Sequence, residues 1–387
     1  MKIFELEEVE RNHTNNPAKI KIVGVGGGGS NAVNSMIASN LQGVEFIAVN
    51  TDSQALELSL AHQRVQIGNS LTKGLGSGAR PEIGRDAAME DRVLIEDALR
   101  GADMVFITAG MGGGTGTGAS PVVAEVAREL GILTTAVVTK PFLLEGNKRA
   151  RNAEQGIKEL QKNVDSIIVV HNQRLSNITD KETTWLQALN LANDVLRQAV
   201  RGITDLILIP GLINQDFADI RTILSDGGRS LIGIGIASGE NRAVLAAKMA
   251  ITSPLLEETS IDGAKGVLIN ITGGSSLTFH EVNEAGSLIR DAVHDDAEII
   301  FGSVIDQDLD DKITVTVIAT GFEEKPKSVM PSLDKWRPSA SDVTVLKGSY
   351  KVLAKDTLKV SDENYLDVPT FMRKNGFTTD DKDIKTV

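Results

Sequence analysis

At 387 residues the chain has room for two domains or for one domain and a tail, and 41% apolar residues allow a sizeable core. A net charge of −12 and only 4% aromatics argue against gripping DNA or RNA by its phosphates or by base stacking. Without cysteine, disulfides and thiolate metal sites are excluded.

The opening segment MKIFELEEVERN is too acidic and too poor in apolar residues for a signal peptide, and residues 1–18 are expected to form a flexible extension. No apolar run approaches the roughly 18 residues needed to cross a bilayer, so a cytoplasmic protein without membrane insertion is expected. From 19 to 180, strand-like runs alternate with helical patterns: Ile20–Gly24, Phe46–Val49, Met104–Thr108, Leu133–Thr139 and Ser166–Val170. That alternation predicts an α/β fold, Rossmann-like, with a mainly parallel sheet and helices on both faces. The helix after the third of these strands is expected over Ala119–Leu130. Residues 181–202 carry apolar positions at helical spacing and predict a central helix joining two halves.

A smaller α/β domain with a mixed sheet is expected over 203–321. Its strands are Ile203–Ile209, Ser230–Ala237, Gly266–Thr272, Glu298–Ser303 and Lys312–Thr320. Its helices are Phe217–Leu224, Arg242–Ile251 and Phe279–Val293. Past Phe322 apolar spacing becomes irregular and four of the ten prolines crowd into the last 66 residues, so 322–364 is expected to be a disordered linker. Within 365–387 the island Tyr365–Lys374 packs apolar and basic residues together, as a peptide that orders on a partner would.

The run from Gly112 through Gly113, Gly114, Thr115, Gly116 and Thr117 to Gly118 sits between a buried strand and a helix. Glycines there let backbone approach an anion, the following helix points free N–H groups at it, and two threonines add hydroxyls. A second glycine turn, Gly24-x-Gly26-x-x-Gly29, follows the first strand, with Asp52 at the end of the next. Taken alone, that turn and Asp52 make a fair fingerprint for NAD, and an NAD-dependent oxidoreductase stays open on those residues. Two cradles at one sheet edge fit a chain of phosphates better than a single pyrophosphate. The dipeptide Gly-Lys occurs nowhere, so a Walker-type P-loop is absent.

GGGTGTG, preceded by TAGM and followed by ASP, resembles the signature of the FtsZ family, the bacterial tubulin-like division GTPases. IKIVGVGGGGSNAV, VNTD, LTKGLGSGARPEIG, TKPFLLEGNKR and GLINQDFADIRTIL resemble that family as well, in its order, from Ile20 to about Gly321. The resemblance implies a GTP-binding domain over 19–180 and a C-terminal activation domain over 203–321. It also implies GTP or GDP as ligand, Mg²⁺ carried by the nucleotide, and K⁺ as a candidate assisting ion. The phosphates would be wrapped by Gly26, Gly27, Gly28 and Asn31 and by Gly112 to Gly118, with Thr51 and Asp52 facing the phosphates or their Mg²⁺. Glu145 and Arg149, four apart, would contact the ribose; without the motif they would be a surface salt bridge.

Asn172 and Asp194 would read guanine. Near them the chain departs from the family pattern, with His171 and Gln173 around the asparagine and Leu189 where the family often has a stacking phenylalanine. Local reading makes Asp216 a helix N-cap and Asp219 a favourable first-turn acid. The resemblance instead makes Asp216 and Asp219 the acids that polarise the attacking water in the next subunit's site, with Asn214 as a polar contact there. It further implies a head-to-tail homopolymer at the mid-cell division ring, with membrane-anchoring and regulatory division proteins docking on Tyr365–Lys374. A polymerising scaffold with weak hydrolysis is the alternative kept beside it.

Overall fold

Strand-forming runs of β-branched residues alternate with helices from the first described residue onward. The computed structural model describes residues 18–176, 179, 182–209, 216–225, 227–253, 255 and 261–322. These all belong to one contacting unit, Met1–Glu323. In chain order, β1 (Ile20–Val25) leads into α1 (Gly26–Ala38), and β2 (Val44–Asn50) into α2 (Ser53–Glu57). Then come β3 (Gln63–Gln66), α3 (Asn69–Thr72), α4 (Pro81–Glu90) and α5 (Arg92–Leu99). They are followed by β4 (Met104–Gly110), α6 (Thr115–Glu129), β5 (Leu133–Lys140), α7 (Asn147–Gln161), β6 (Ser166–His171) and α8 (Asn172–Leu175). The long α9 (Trp185–Leu208) and α10 (Phe217–Leu224) precede β7 (Gly228–Ser238) and α11 (Arg242–Ile251). The last elements are β8 (Gly266–Gly273), α12 (Phe279–Arg290), β9 (Glu298–Ile305) and β10 (Lys312–Thr320).

The strands form one ten-stranded sheet in the order β3-β2-β1-β4-β5-β6-β7-β10-β8-β9. From β3 to β7 every pairing is parallel, although β6 and β7 share only Ser166–Ile168 against Gly228–Ser230. Beyond β7 the sheet is mixed, since β10 runs antiparallel to β7 and β8 while β8 and β9 are parallel. The expected α/β class, with a mainly parallel half and a smaller mixed half, is the observed one. Because side chains alternate along each strand, β1 sends Ile20 and Ile22 to one face and Val23 and Val25 to the other. The first face packs against α1, α9 and α10, the second against α4 to α7. A third apolar cluster joins α11 and α12 to the mixed half.

Two expectations are corrected by the structure. Ile203–Ile209 is no strand: α9 continues through Leu208, about 36 Å in all, because Ile203 and Leu206 are buried on a helix packed on several sides. The helix starts where Thr184 accepts from the Gln187 N–H and Gln187 Oε1 accepts from the Thr184 N–H. Four residues of the glycine run are also not loop, since Thr115 to Gly118 form the first turn of α6. Strand β3 is an addition that the sequence did not announce. Asn214 and Tyr365–Lys374 lie outside the described residues.

Facing α9 from the mixed half is a polar seam. Arg201 donates to Asp205 Oδ2 at 3.2 Å and to Asp306 Oδ2 at 2.6 Å, tying the helix to the end of β9. Burial pushes the Asp205 carboxyl up to about 6, with Arg201 pulling the other way.

Candidate functional site

Helix α1 leaves β1 toward β2 on one face of the sheet, and α6 leaves β4 toward β5 on the other. The crevice between β1 and β4 is therefore the switch point of the parallel sheet, where such folds bind ligands at the carboxyl ends of their strands. A cavity of about 330 Å³ opens there. Its floor is Gly27, Gly28 and Asn31 of α1 with Gly110 to Gly116 of the second turn, apart from Gly112; its walls include Glu145, Arg149 and Asn172 and the α9 residues Leu189, Ala192, Asn193 and Leu196.

Glycine is required where the two turns touch. Gly26 has φ +69°, and a Cβ on it would stand 2.6 Å from the Gly116 nitrogen. A Cβ on Gly116 would in turn meet the Gly110 carbonyl oxygen at 2.8 Å. At Gly27 and Gly113 the added carbon would meet nothing within 4 Å, and both positions line the cavity. These two glycines hold open space on the ligand side. Neither α1 nor α6 has a side-chain N-cap, whereas α9, α10 and α12 do. The first N–H groups of both cavity helices are thus left for an anion. Charge from side chains adds little, because the Arg149 guanidinium is paired at 2.5 Å with Glu145.

Behind the floor, hydroxyls form a buried chain. Thr115 Oγ1 lies 2.7 Å from Thr51 Oγ1 and 2.9 Å from Ser77 Oγ, and both Thr115 and Ser77 line the cavity. Thr117 Oγ1 accepts from the Gly112 N–H at 2.8 Å, so it shapes the turn from within. Gly26, Gly112, Thr117, Gly118, Thr51 and Asp52 stand outside the lining. Asp52 Oδ1 caps α2 by accepting from the N–H groups of Gln54 and Ala55. Among the described residues no cluster of three or more His, Cys, Asp or Glu could hold a metal.

At the cavity's other end the polar groups include acceptors that suit the N–H and O–H groups of a ligand. Glu145 Oε1 accepts from the Phe142 N–H at 2.9 Å while its Oε2 pairs with Arg149. Asn172 is 8% exposed and its Oδ1 has no hydrogen-bond partner, an orphaned acceptor aimed at a ligand with N–H groups. Asp194 lies outside the lining, where it accepts from Arg197 Nε at 2.8 Å and from Gln198. Its neighbour Asn193 is the α9 amide that lines the cavity. Sequence reasoning missed Asn193 and Ser77, although both sit inside or beside motifs it used.

Asp216 and Asp219 are elsewhere. Asp216 Oδ1 accepts from the Asp219 N–H at 2.9 Å, the N-cap that local reading expected, and both residues are exposed. Arg221 of the same helix donates to the carbonyl of Gly131, in the turn before β5, and Gly228 starts β7 beside the start of β6. Leu208 at the end of α9 packs on Gly43, just before β2. Helix α10 therefore lies at the amino-terminal edge of the sheet, one strand length or about 20 Å from the cavity edge.

Residues 19–180 match the model of the Tubulin/FtsZ family GTPase domain, and residues 228–323 match that of the FtsZ family C-terminal domain. The empty FtsZ dimer of M. jannaschii is 42% identical over 80% of this chain and 89% of that one, with a TM-score of 0.77. The chain belongs to the FtsZ family. Two Haloferax volcanii proteins share the fold at lower identity. CetZ1, a GDP-bound monomer, is 22% identical with a TM-score of 0.69 over 80% of this chain and 96% of that one. CetZ2, a GTPγS-bound protofilament, is 19% identical with a TM-score of 0.67 over 87% of this chain and 99% of that one. Family membership makes a guanine nucleotide the ligand class of this FtsZ-family chain and GTP hydrolysis its general chemistry, in place of the oxidoreductase alternative. Among the described residues of this FtsZ relative, no helix is long and apolar enough to cross a membrane.

Proposed function

We propose that this chain is a self-assembling GTPase whose active site is completed between subunits, and that its filaments build the bacterial division ring. The observation that carries the proposal is the placement of Asp216 and Asp219 at the edge opposite the cavity. Two acids about 20 Å from the nucleotide do nothing for their own subunit's γ-phosphate. On a second subunit stacked head to tail, the same acids face it.

In that arrangement the triphosphate lies over the uncapped starts of α1 and α6. Gly26 to Asn31 and Gly112 to Gly118 wrap it, and the Thr115–Ser77–Thr51 hydroxyls support the turn. Mg²⁺ carried by GTP would supply charge neutralisation at the phosphates, and Thr51 and Asp52 are the residues that would face its shell. Asn172 and Asn193 face the base, with Asp194, next to Asn193 on α9, needing to turn from Arg197 and Gln198 to reach it, and Glu145 and Arg149 face the ribose. Asp216 and Asp219 from the neighbouring subunit, with Asn214, orient a water against the γ-phosphorus. The bond to the β-phosphate oxygen breaks, and GDP and phosphate form. Phosphoryl transfer asks little beyond alignment and electrostatics, so a site split between subunits suffices.

A contact between two different faces propagates as an open filament. Relatives support this: the FtsZ structure is a dimer and the CetZ2 structure a protofilament. Tyr365–Lys374 is the proposed dock for membrane-anchoring division proteins, which would bring the filament to mid-cell. The test is GTP turnover per molecule against protein concentration. Turnover that rises from near zero above a threshold is expected; a flat line would refute the shared site.

A further inference from the structure

We infer that Trp185, a residue outside the cavity lining, is a base-contacting residue that closes the cavity's outer end over the bound nucleotide. The inference rests on the reading of the cavity as a nucleotide site. On α9 the cavity residues Leu189, Ala192, Asn193 and Leu196 form one stripe, and Trp185 continues it one turn further, at i−4 from Leu189. Four residues of rise put Trp185 and Leu189 about 6 Å apart along the axis. Trp185 thus borders the lining at the end where Asn172 and Asn193 supply the polar groups for a base.

Trp185 is also held in place and left open. Trp185 is 50% exposed, so its indole face is open to a ligand. The ring packs on Phe142, with centroids 5.1 Å apart and planes tilted by 53°. Phe142 is itself buried, follows the lining residue Pro141, and donates its N–H to Glu145. The next residue, Leu143, donates its N–H to Gln173 Oε1 at 3.1 Å, beside Asn172. The capping box of Thr184 and Gln187 fixes the helix start on which Trp185 sits. The rim therefore presents an aromatic plane, backed by Phe142, next to an apolar strip made by Leu189, Ala192 and Leu196. A purine slid along that strip meets the indole at its outer edge, where stacking stabilises any base with an exposed π-face.

Only two tryptophans occur in the chain, and Trp336 is the other. The test uses the full chain with Trp336→Phe, so that emission reports Trp185 alone, titrated with GDP and separately with inorganic tripolyphosphate. GDP is expected to change the emission saturably, and tripolyphosphate to leave it unchanged. Trp185→Ala is expected to weaken GDP binding about tenfold without weakening tripolyphosphate, while Trp185→Phe retains most of the affinity. If GDP binds with silent emission and Trp185→Ala binds it as tightly as the parent, the role of Trp185 is refuted and the nucleotide site stands. If GDP does not bind the full chain at all by calorimetry, both readings fall.

Discussion

Alanine at Gly26 and alanine at Gly27 are expected to do opposite things, although the residues are neighbours. At Gly26 an L side chain must hold φ +69°, which costs about 1–2 kcal/mol. Its Cβ would also press on the Gly116 backbone at 2.6 Å, where overpacking adds about 1–3 kcal/mol. Gly26→Ala should therefore lose about 2–5 kcal/mol of folding stability and its nucleotide affinity with it. At Gly27 the backbone is unstrained and the new methyl meets no atom within 4 Å, so stability should stay level or rise by up to about 1 kcal/mol. That methyl, however, projects into the cavity that Gly27 lines. Losing one charge-assisted N–H to phosphate bond there costs about 1.5–3 kcal/mol, or roughly ten- to a hundredfold in affinity. Urea unfolding of each variant without nucleotide, paired with GDP calorimetry, measures both numbers. Wild-type affinity in Gly27→Ala, or a stability loss there like that of Gly26→Ala, would refute the cradle.

Asp219→Ala should retain GTP binding and assembly, seen by sedimentation, while losing most turnover; full activity would place the chemistry elsewhere. In the mixed half, Arg242 is 5% exposed and donates to Glu281 and Asp311. That guanidinium, with help from Thr278, holds the Glu281 carboxyl down at about 2 from its ordinary 4.5. A depressed carboxylate stabilises above the unfolded value and loses that stabilisation as pH falls from about 4.5 toward 2. Allowing for solvent screening, Glu281→Gln should unfold more easily than wild type at pH 7 by about 1 kcal/mol and converge with it by about pH 2. Denaturant midpoints across that range check the sign. Deleting Tyr365–Lys374 should leave polymerisation intact and abolish capture by a membrane adaptor in co-pelleting with vesicles.

Period and turn chemistry made most of the fold legible, and they failed where burial was unusual. Ile203–Ile209 looked like a strand because a helix buried on several sides has no polar face to mark its period. Strand β3 was invisible because of its four residues only Val65 is buried, and its glutamines and arginine carry no alternation. The glycine turns were plain in sequence because only glycine tolerates the backbone contact between Gly26 and Gly116. Which of two adjacent α9 residues lines the cavity was not, since Asn193 and Asp194 differ by only 100° of helical rotation. The role of Asp216 as a cap was legible locally, and its distance from the cavity needed the topology of the whole sheet.

The shared active site is tested most directly by mixing two crippled chains. Gly27→Ala keeps the acids but binds nucleotide roughly ten- to a hundredfold more weakly, so at GTP concentrations well below its Kd its own cavity stays empty, and Asp219→Ala holds nucleotide but lacks an activating acid. Each alone should turn over GTP at a small fraction of the wild-type rate. In an equimolar mixture the Asp219 of one chain reaches the nucleotide of the other, and turnover should recover well above the sum of the two. A mixture no faster than that sum would contradict the account.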